Sequence, residues 1–132
     1  MFRTLFDRDL EIEGLREAIE TVAAGAGGVT VIEAPPGFGK TSLCEWAAVL
    51  AGERGVEVLA ARGTELQERV PFGLARVLLR IPPDDAGTAS DRGLATIERL
   101  THALFERVLG DEEEPDRPHL VIVDDAQWAD RL

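Results

Sequence analysis

The run Ala34-Pro35-Pro36-Gly37-Phe38-Gly39-Lys40-Thr41 lies between the apolar stretch Val29-Thr30-Val31-Ile32 and a helix-forming one, Ser42-Leu43-Cys44-Glu45-Trp46-Ala47-Ala48-Val49-Leu50. It therefore reads as a tight loop joining a strand to a helix. Small residues let the backbone curl until several N–H groups converge, and the positive end of the following helix dipole adds to their field. Lys40 supplies a mobile full charge for the outer phosphates of a bound ligand, and Thr41 offers a hydroxyl to a magnesium ion. Taken as residues alone, the same run is also consistent with a glycine turn followed by an unrelated lysine.

With Gly37, Gly39, Lys40 and Thr41 in this register, the segment resembles the Walker A box of the P-loop NTPases, G-x-x-x-x-G-K-[ST]. Ala34 stands where the stricter form has its first glycine. Were positive φ required there, alanine would cost about 1 kcal/mol. The resemblance implies ATP as ligand, with Ala34, Pro35, Pro36, Gly37, Phe38, Gly39, Lys40, Thr41 and Ser42 around it.

At 132 residues the chain has the length of one domain, able to bury roughly two-thirds of its unfolded surface. Its 45% hydrophobic and 30% charged residues suit a soluble globular protein. No apolar run approaches the roughly 20 residues of a membrane span, and acids interrupt the amino terminus before a signal peptide could form. A cytoplasmic location is expected. One cysteine, Cys44, excludes an internal disulfide framework, and with two histidines there is no Cys/His metal cluster. Any metal is expected to arrive with a nucleotide. The net charge of −11, from 14 basic and 25 acidic residues, opposes direct contact with nucleic acid or an anionic membrane. An anion such as ATP is then bound only through locally focused donors.

Taken in order, Ile12, Leu15, Ile19 and Val22 recur at helical spacing, predicting an amphipathic helix from about Asp9 to Ala24, capped by Asp7 or Asp9 and stopped by Gly25-Ala26-Gly27-Gly28. The helix after the loop is expected to reach about Glu53 and to be largely covered, with Trp46 and Cys44 as packing residues. Val56-Glu57-Val58-Leu59-Ala60 reads as a strand, Arg62-Gly63-Thr64-Glu65 as a loop, and Phe72 to about Arg80 as a helix with Pro71 in its first turn. Leu94, Ile97, Leu100, Leu104 and Val108 mark another helix, capped by Ser90 or Asp91. An acidic, proline-punctuated loop from Gly110 to Pro118 leads into His119-Leu120-Val121-Ile122-Val123-Asp124-Asp125, which reads as a buried strand delivering acids at its carboxyl edge.

That last strand resembles a Walker B box. The resemblance implies that Asp124 holds Mg2+ opposite the Thr41 hydroxyl and that Asp125 polarises the attacking water, so that Asp125 and Lys40 are the candidate catalytic residues. Asp125 can equally cap the helix that Ala126-Gln127-Trp128 begins. The string Asp124-Asp125-Ala126-Gln127-Trp128-Ala129-Asp130 and the segment Pro71-Phe72-Gly73-Leu74-Ala75 are similar to those of AAA-type signal-transduction (STAND) ATPases, in particular the amino-terminal module of large LuxR-type regulators. Phe6-Asp7-Arg8-Asp9-Leu10-Glu11 resembles their F-G-R-x-x-E box, with Asp7 in place of the glycine; in the family that box lies near the adenine. On the residues alone it is a helix lead-in with a solvated arginine.

The resemblance implies an α/β fold, a three-layer P-loop NTPase sandwich around a parallel sheet in the order 5-1-4-3-2. Residues 1–132 then form the amino-terminal part of a P-loop ATPase domain, with Walker A at 34–41, Walker B at 120–125, and strands one to three only. Strands four and five, which would flank the first strand, are expected beyond residue 132, leaving its backbone unpaired and its flank apolar. The expected function is an ATP- and magnesium-binding module of a nucleotide-switch regulator, hydrolysing weakly or not at all by itself and associating with other copies through the complete ATPase. A non-catalytic truncated remnant or interaction protein, and a P-loop kinase, are the alternatives.

Overall fold

The computed structural model describes residues 8–69, 72–81, 89–109 and 117–129. Helix α1 runs Asp9–Ala23 and buries Leu15 and Ile19, two of the four residues whose spacing predicts it. Its N-cap position is Arg8, without a side-chain cap bond. Asp9 is already inside the helix, and Asp7 lies outside the described residues. Helix α2 runs Lys40–Glu53 and buries Leu43, Ala47, Leu50 and Ala51. Trp46 is half-buried beneath the Arg16 guanidinium, 5.5 Å from its ring centroid, and Cys44 is half-buried too. Val49, expected to be covered, is exposed because it lies away from the buried Leu43-Ala47-Leu50 stripe.

α2 ends where its backbone is turned by a left-handed glycine. Gly55 has φ 74°, its N–H donates to the Gly52 carbonyl, and the Val56 N–H reaches back to Ala51. This double closure satisfies two carbonyls that a helix end otherwise leaves bare, and it drops Val56 into the core beside Ala51. α1 closes in the same way at Gly25.

Strand β1, Glu57–Arg62, pairs in parallel with strand β2, His119–Asp124. The Glu57 N–H donates to the Pro118 carbonyl at 2.9 Å. The α/β class and the parallel pairing are thus as expected. The first expected strand is not: residues 26–35 form no ladder among the described residues. A strand exists only through its neighbours, and here Val29 and Val31 stand 93% and 74% exposed while Ile32 alone of that run packs on the core.

The described residues divide into two compact units. The first takes those of Met1–Leu59 and Pro118–Asp124, where Leu120 and Ile122 of β2 join the α1 and α2 side chains in one core. Val121 and Val123, on the opposite face of the strand, are exposed. β2 is therefore buried on one face rather than throughout, and among the described residues no second helical layer covers these valines.

The second unit takes the described residues of Ala60–Arg117 and Asp125–Leu132. Helix α3 is shorter than its sequence suggests, Gly73–Leu78: Phe72 is left-handed at its N-cap, and Arg80, at φ 55°, turns the backbone out of the helix beyond Leu79. Pro71 lies outside the described residues. Helix α4, Ala89–Leu109, begins early enough that Ser90 and Asp91 fall within its first turn. Leu100 is buried on it, whereas Ile97 and Leu104 are exposed; spacing makes the helix, but coverage needs an opposing element. No helix among the described residues is long and apolar enough to cross a membrane.

Leu43 is completely buried and anchors the first core. Leu43→Ala is expected to lower stability by about 2–5 kcal/mol, read from the shift of a urea unfolding transition.

Candidate functional site

The glycine loop is shaped by two left-handed residues, Gly37 at φ 84° and Gly39 at φ 80°. The Phe38 N–H turns back to the Pro35 carbonyl at 3.4 Å, and the first helical bond of α2 runs from the Leu43 N–H to the Gly39 carbonyl at 3.1 Å. No side chain caps this helix. The amides of Gly39, Lys40, Thr41 and Ser42 consequently find no backbone acceptor among the described residues, which is the donor array an anion requires. A Cβ added to Gly37 or Gly39 would meet nothing within 4 Å, so the loop borders open space. Ala34 is not among the residues with positive φ, and the cost considered for an alanine there does not arise.

Lys40 folds back over the loop. Its Nζ donates to the Ala34 carbonyl at 2.7 Å and to that of Pro35 at 3.2 Å. Pro36 and Phe38 form the exposed outer edge of the turn, and Ser42 is half-buried in the first turn of α2. Arg8 is no solvated lead-in. Its Nη2 donates to the Phe38 carbonyl, and its Nη1 lies 3.6 Å from Glu11. Phe6 and Asp7, the other members of that box, lie outside the described residues.

The Thr41 hydroxyl donates to Asp124 Oδ2 at 2.6 Å. This one bond joins the start of α2 to the carboxyl end of β2. Asp124 is 9% exposed, a buried charged residue where the other described acids are mostly solvated. Because Thr41 follows Lys40 directly, Lys40, Thr41 and Asp124 belong to one region of the first unit.

The donor set suits magnesium in part. A hydroxyl and a carboxylate are hard oxygen ligands of the required kind. Among the described residues, however, no group of three or more His, Cys, Asp or Glu side chains could hold an ion. Thr41 and Asp124 therefore supply too few ligands by themselves, which fits an ion that brings phosphate oxygens and water with it.

Asp125 belongs to a different network, within the second unit. It sits at φ 52°, in the N-cap position of the three-residue 3-10 turn Ala126–Trp128. Its carbonyl accepts the Trp128 N–H, but its side chain makes no cap bond. The expectation that the carboxylate caps a helix is thus corrected. Arg62 Nε donates to Oδ2 at 3.0 Å, and Gln127 Nε2 approaches Oδ1 at 3.4 Å.

Sequence reasoning missed Arg62 and Gly63. A Cβ on Gly63 would collide with the Asp125 carbonyl oxygen and lie 3.1 Å from Trp128 Cβ, so this glycine serves close approach of two backbones. The available signal was an Arg-Gly pair just beyond a predicted strand.

This arrangement defines a class, an α/β nucleotide-binding module with a glycine loop at a helix start and a carboxylate at a strand end. A family model described as AAA ATPase domain matches residues 4–132, and the chain belongs to that family. The family is one of P-loop ATPase modules that bind a nucleotide, usually with magnesium. Comparisons with curated proteins and with solved structures gave no match.

Gly63→Ala is expected to cost about 1–3 kcal/mol, since the opposing atom is backbone and cannot swing aside. A lowered thermal midpoint, with altered fluorescence of Trp128 in a Trp46→Phe background, would report it.

Proposed function

We propose that this chain is the ATP- and magnesium-binding module of a cytoplasmic signal-transduction ATPase of the kind found in large LuxR-type regulators, with little or no hydrolysis by itself. The observation that carries the reading is the 2.6 Å bond between Thr41 and Asp124, which brings the two expected magnesium-side oxygens together. In this reading Ala34 to Ser42 form the cradle, and the amides at the start of α2 receive the inner phosphates. Lys40 leaves the Ala34 and Pro35 carbonyls to meet the outer ones. Bound magnesium would neutralise charge on the phosphate oxygens. Asp124, accepting the Thr41 proton, turns the hydroxyl lone pairs outward. Asp125 is the residue proposed to orient an attacking water, for which its carboxylate must first part from Arg62.

A second reading, a non-catalytic remnant, draws support from Lys40, whose ammonium is already satisfied by its own loop. Calorimetric titration with Mg-ATP separates the two. Lys40→Ala is expected to weaken binding by roughly 10- to 100-fold, the worth of one or two charge-assisted hydrogen bonds. Equal affinities of the wild type and Lys40→Ala would reject the ATP-binding reading. Asp124→Asn is expected to abolish most of the difference between titrations with magnesium and with a chelator. Asp125→Asn should leave affinity unchanged and reduce whatever turnover the wild type shows, measured as released phosphate.

A further inference from the structure

We propose that Arg8 is a positioning residue that holds the peptide between Phe38 and Gly39 in its anion-receiving orientation; the proposal rests on the nucleotide-binding reading above. Phe38 stands between two glycines at φ 84° and 80°, and neither glycine has a neighbour where a side chain would be. Phe38 itself is 56% exposed. Packing therefore does little to fix this peptide plane. Rotating the plane changes ψ of Phe38 and φ of Gly39, the latter a residue with almost no steric preference between the two hands. Its orientation is left to hydrogen bonds, and the Phe38 N–H bond at 3.4 Å belongs to the preceding peptide.

The carbonyl of this plane accepts from the Arg8 guanidinium. In a trans peptide the C=O and N–H point in opposite directions, so the grip on the Phe38 oxygen turns the Gly39 N–H away from Arg8. Gly39 opens the donor array ahead of α2. A flipped plane would present an oxygen to an anion in place of a donor, converting attraction into repulsion.

Arg8 is well placed to hold this grip. Its carbonyl accepts the Ile12 N–H at 3.0 Å in the first turn of α1, and its Nη1 lies beside Glu11. Through Leu15 and Ile19, α1 shares a core with α2, the helix that carries Lys40 and Thr41. The lock and the loop thus rest on one packed body. Arg8 acts through Phe38 and needs no contact with the ligand, which sets it apart from an adenine-reading residue.

The test uses this chain labelled with nitrogen-15, comparing wild type, Arg8→Ala and Arg8→Lys. Expected for Arg8→Ala are a shifted or broadened Gly39 amide resonance in the absence of ligand, a thermal midpoint close to wild type, and affinities for Mg-ATP and Mg-GTP reduced by the same factor, about tenfold. Arg8→Lys, which can still donate to the carbonyl, should recover part of both signals. Where Arg8→Ala folds poorly, Arg8→Lys alone carries the amide comparison. An unmoved Gly39 resonance in the variants overturns the proposal, as does a loss confined to the adenine nucleotide. Should the wild type bind no nucleotide at all, the functional reading fails, and the Gly39 resonance still decides whether Arg8 sets the peptide.

Discussion

A hydroxyl on the first turn of α2 and a carboxylate at the end of β2 meet at 2.6 Å, and the candidate site exists because they do. The two residues are far apart in the chain, so their approach demands that β2 lie beside α2 with its carboxyl end level with the helix start. The shared core supplies that alignment: Leu43, Ala47 and Leu50 from the helix, Leu120 and Ile122 from the strand. The strand presents those two to the core because its side chains alternate, and Asp124, the next in the alternation, is carried to the same side. Burial of the apolar pair and delivery of the acid are one geometric fact. The Thr41 hydroxyl proton is one of the groups that offset the burial of this carboxylate.

The glycine loop is supported differently. Its backbone conformation depends on residues without side chains, so it lacks the interlocking that holds the core. What steadies it is polar: Lys40 on the carbonyls of Ala34 and Pro35, and Arg8 on that of Phe38. Two cations drawn onto carbonyl oxygens orient the loop's dipoles so that oxygens face protein and amides are released for other partners. In a chain of net charge −11 these two positive charges contact the loop's own atoms directly.

What the sequence made legible were features encoded locally. The 3.6-residue spacing of Ile12, Leu15, Ile19 and Val22 gave α1 nearly to its ends, and the loop-to-helix chemistry from Gly37 to Thr41 located the start of α2. The apolar run before Asp124 gave β2, at whose end Asp124 accepts a hydrogen bond from Thr41. Features that depend on distant partners were not legible. Val29 to Ile32 has the composition of a strand, but a ladder is a property of two segments, and its partner is not in its own letters. The Arg62 pairing with Asp125 and the Arg8 grip on Phe38 join residues far apart in sequence, where no periodicity points from one to the other. Gly63 was read as loop because composition cannot distinguish a glycine chosen for flexibility from one chosen for the space it leaves.

The ammonium of Lys40 occupies a definite seat on its own loop, and the two carbonyl oxygens that hold it are resident rivals of any anion for its protons. In the nucleotide-binding reading proposed above, a phosphate that recruits Lys40 competes with these two carbonyl oxygens, and the observed affinity is the intrinsic one scaled by the share of molecules in which the ammonium is released. A partner or neighbouring segment that offered those carbonyls a different donor would raise that share. It would thereby tune occupancy by acting on the Ala34 and Pro35 carbonyls alone.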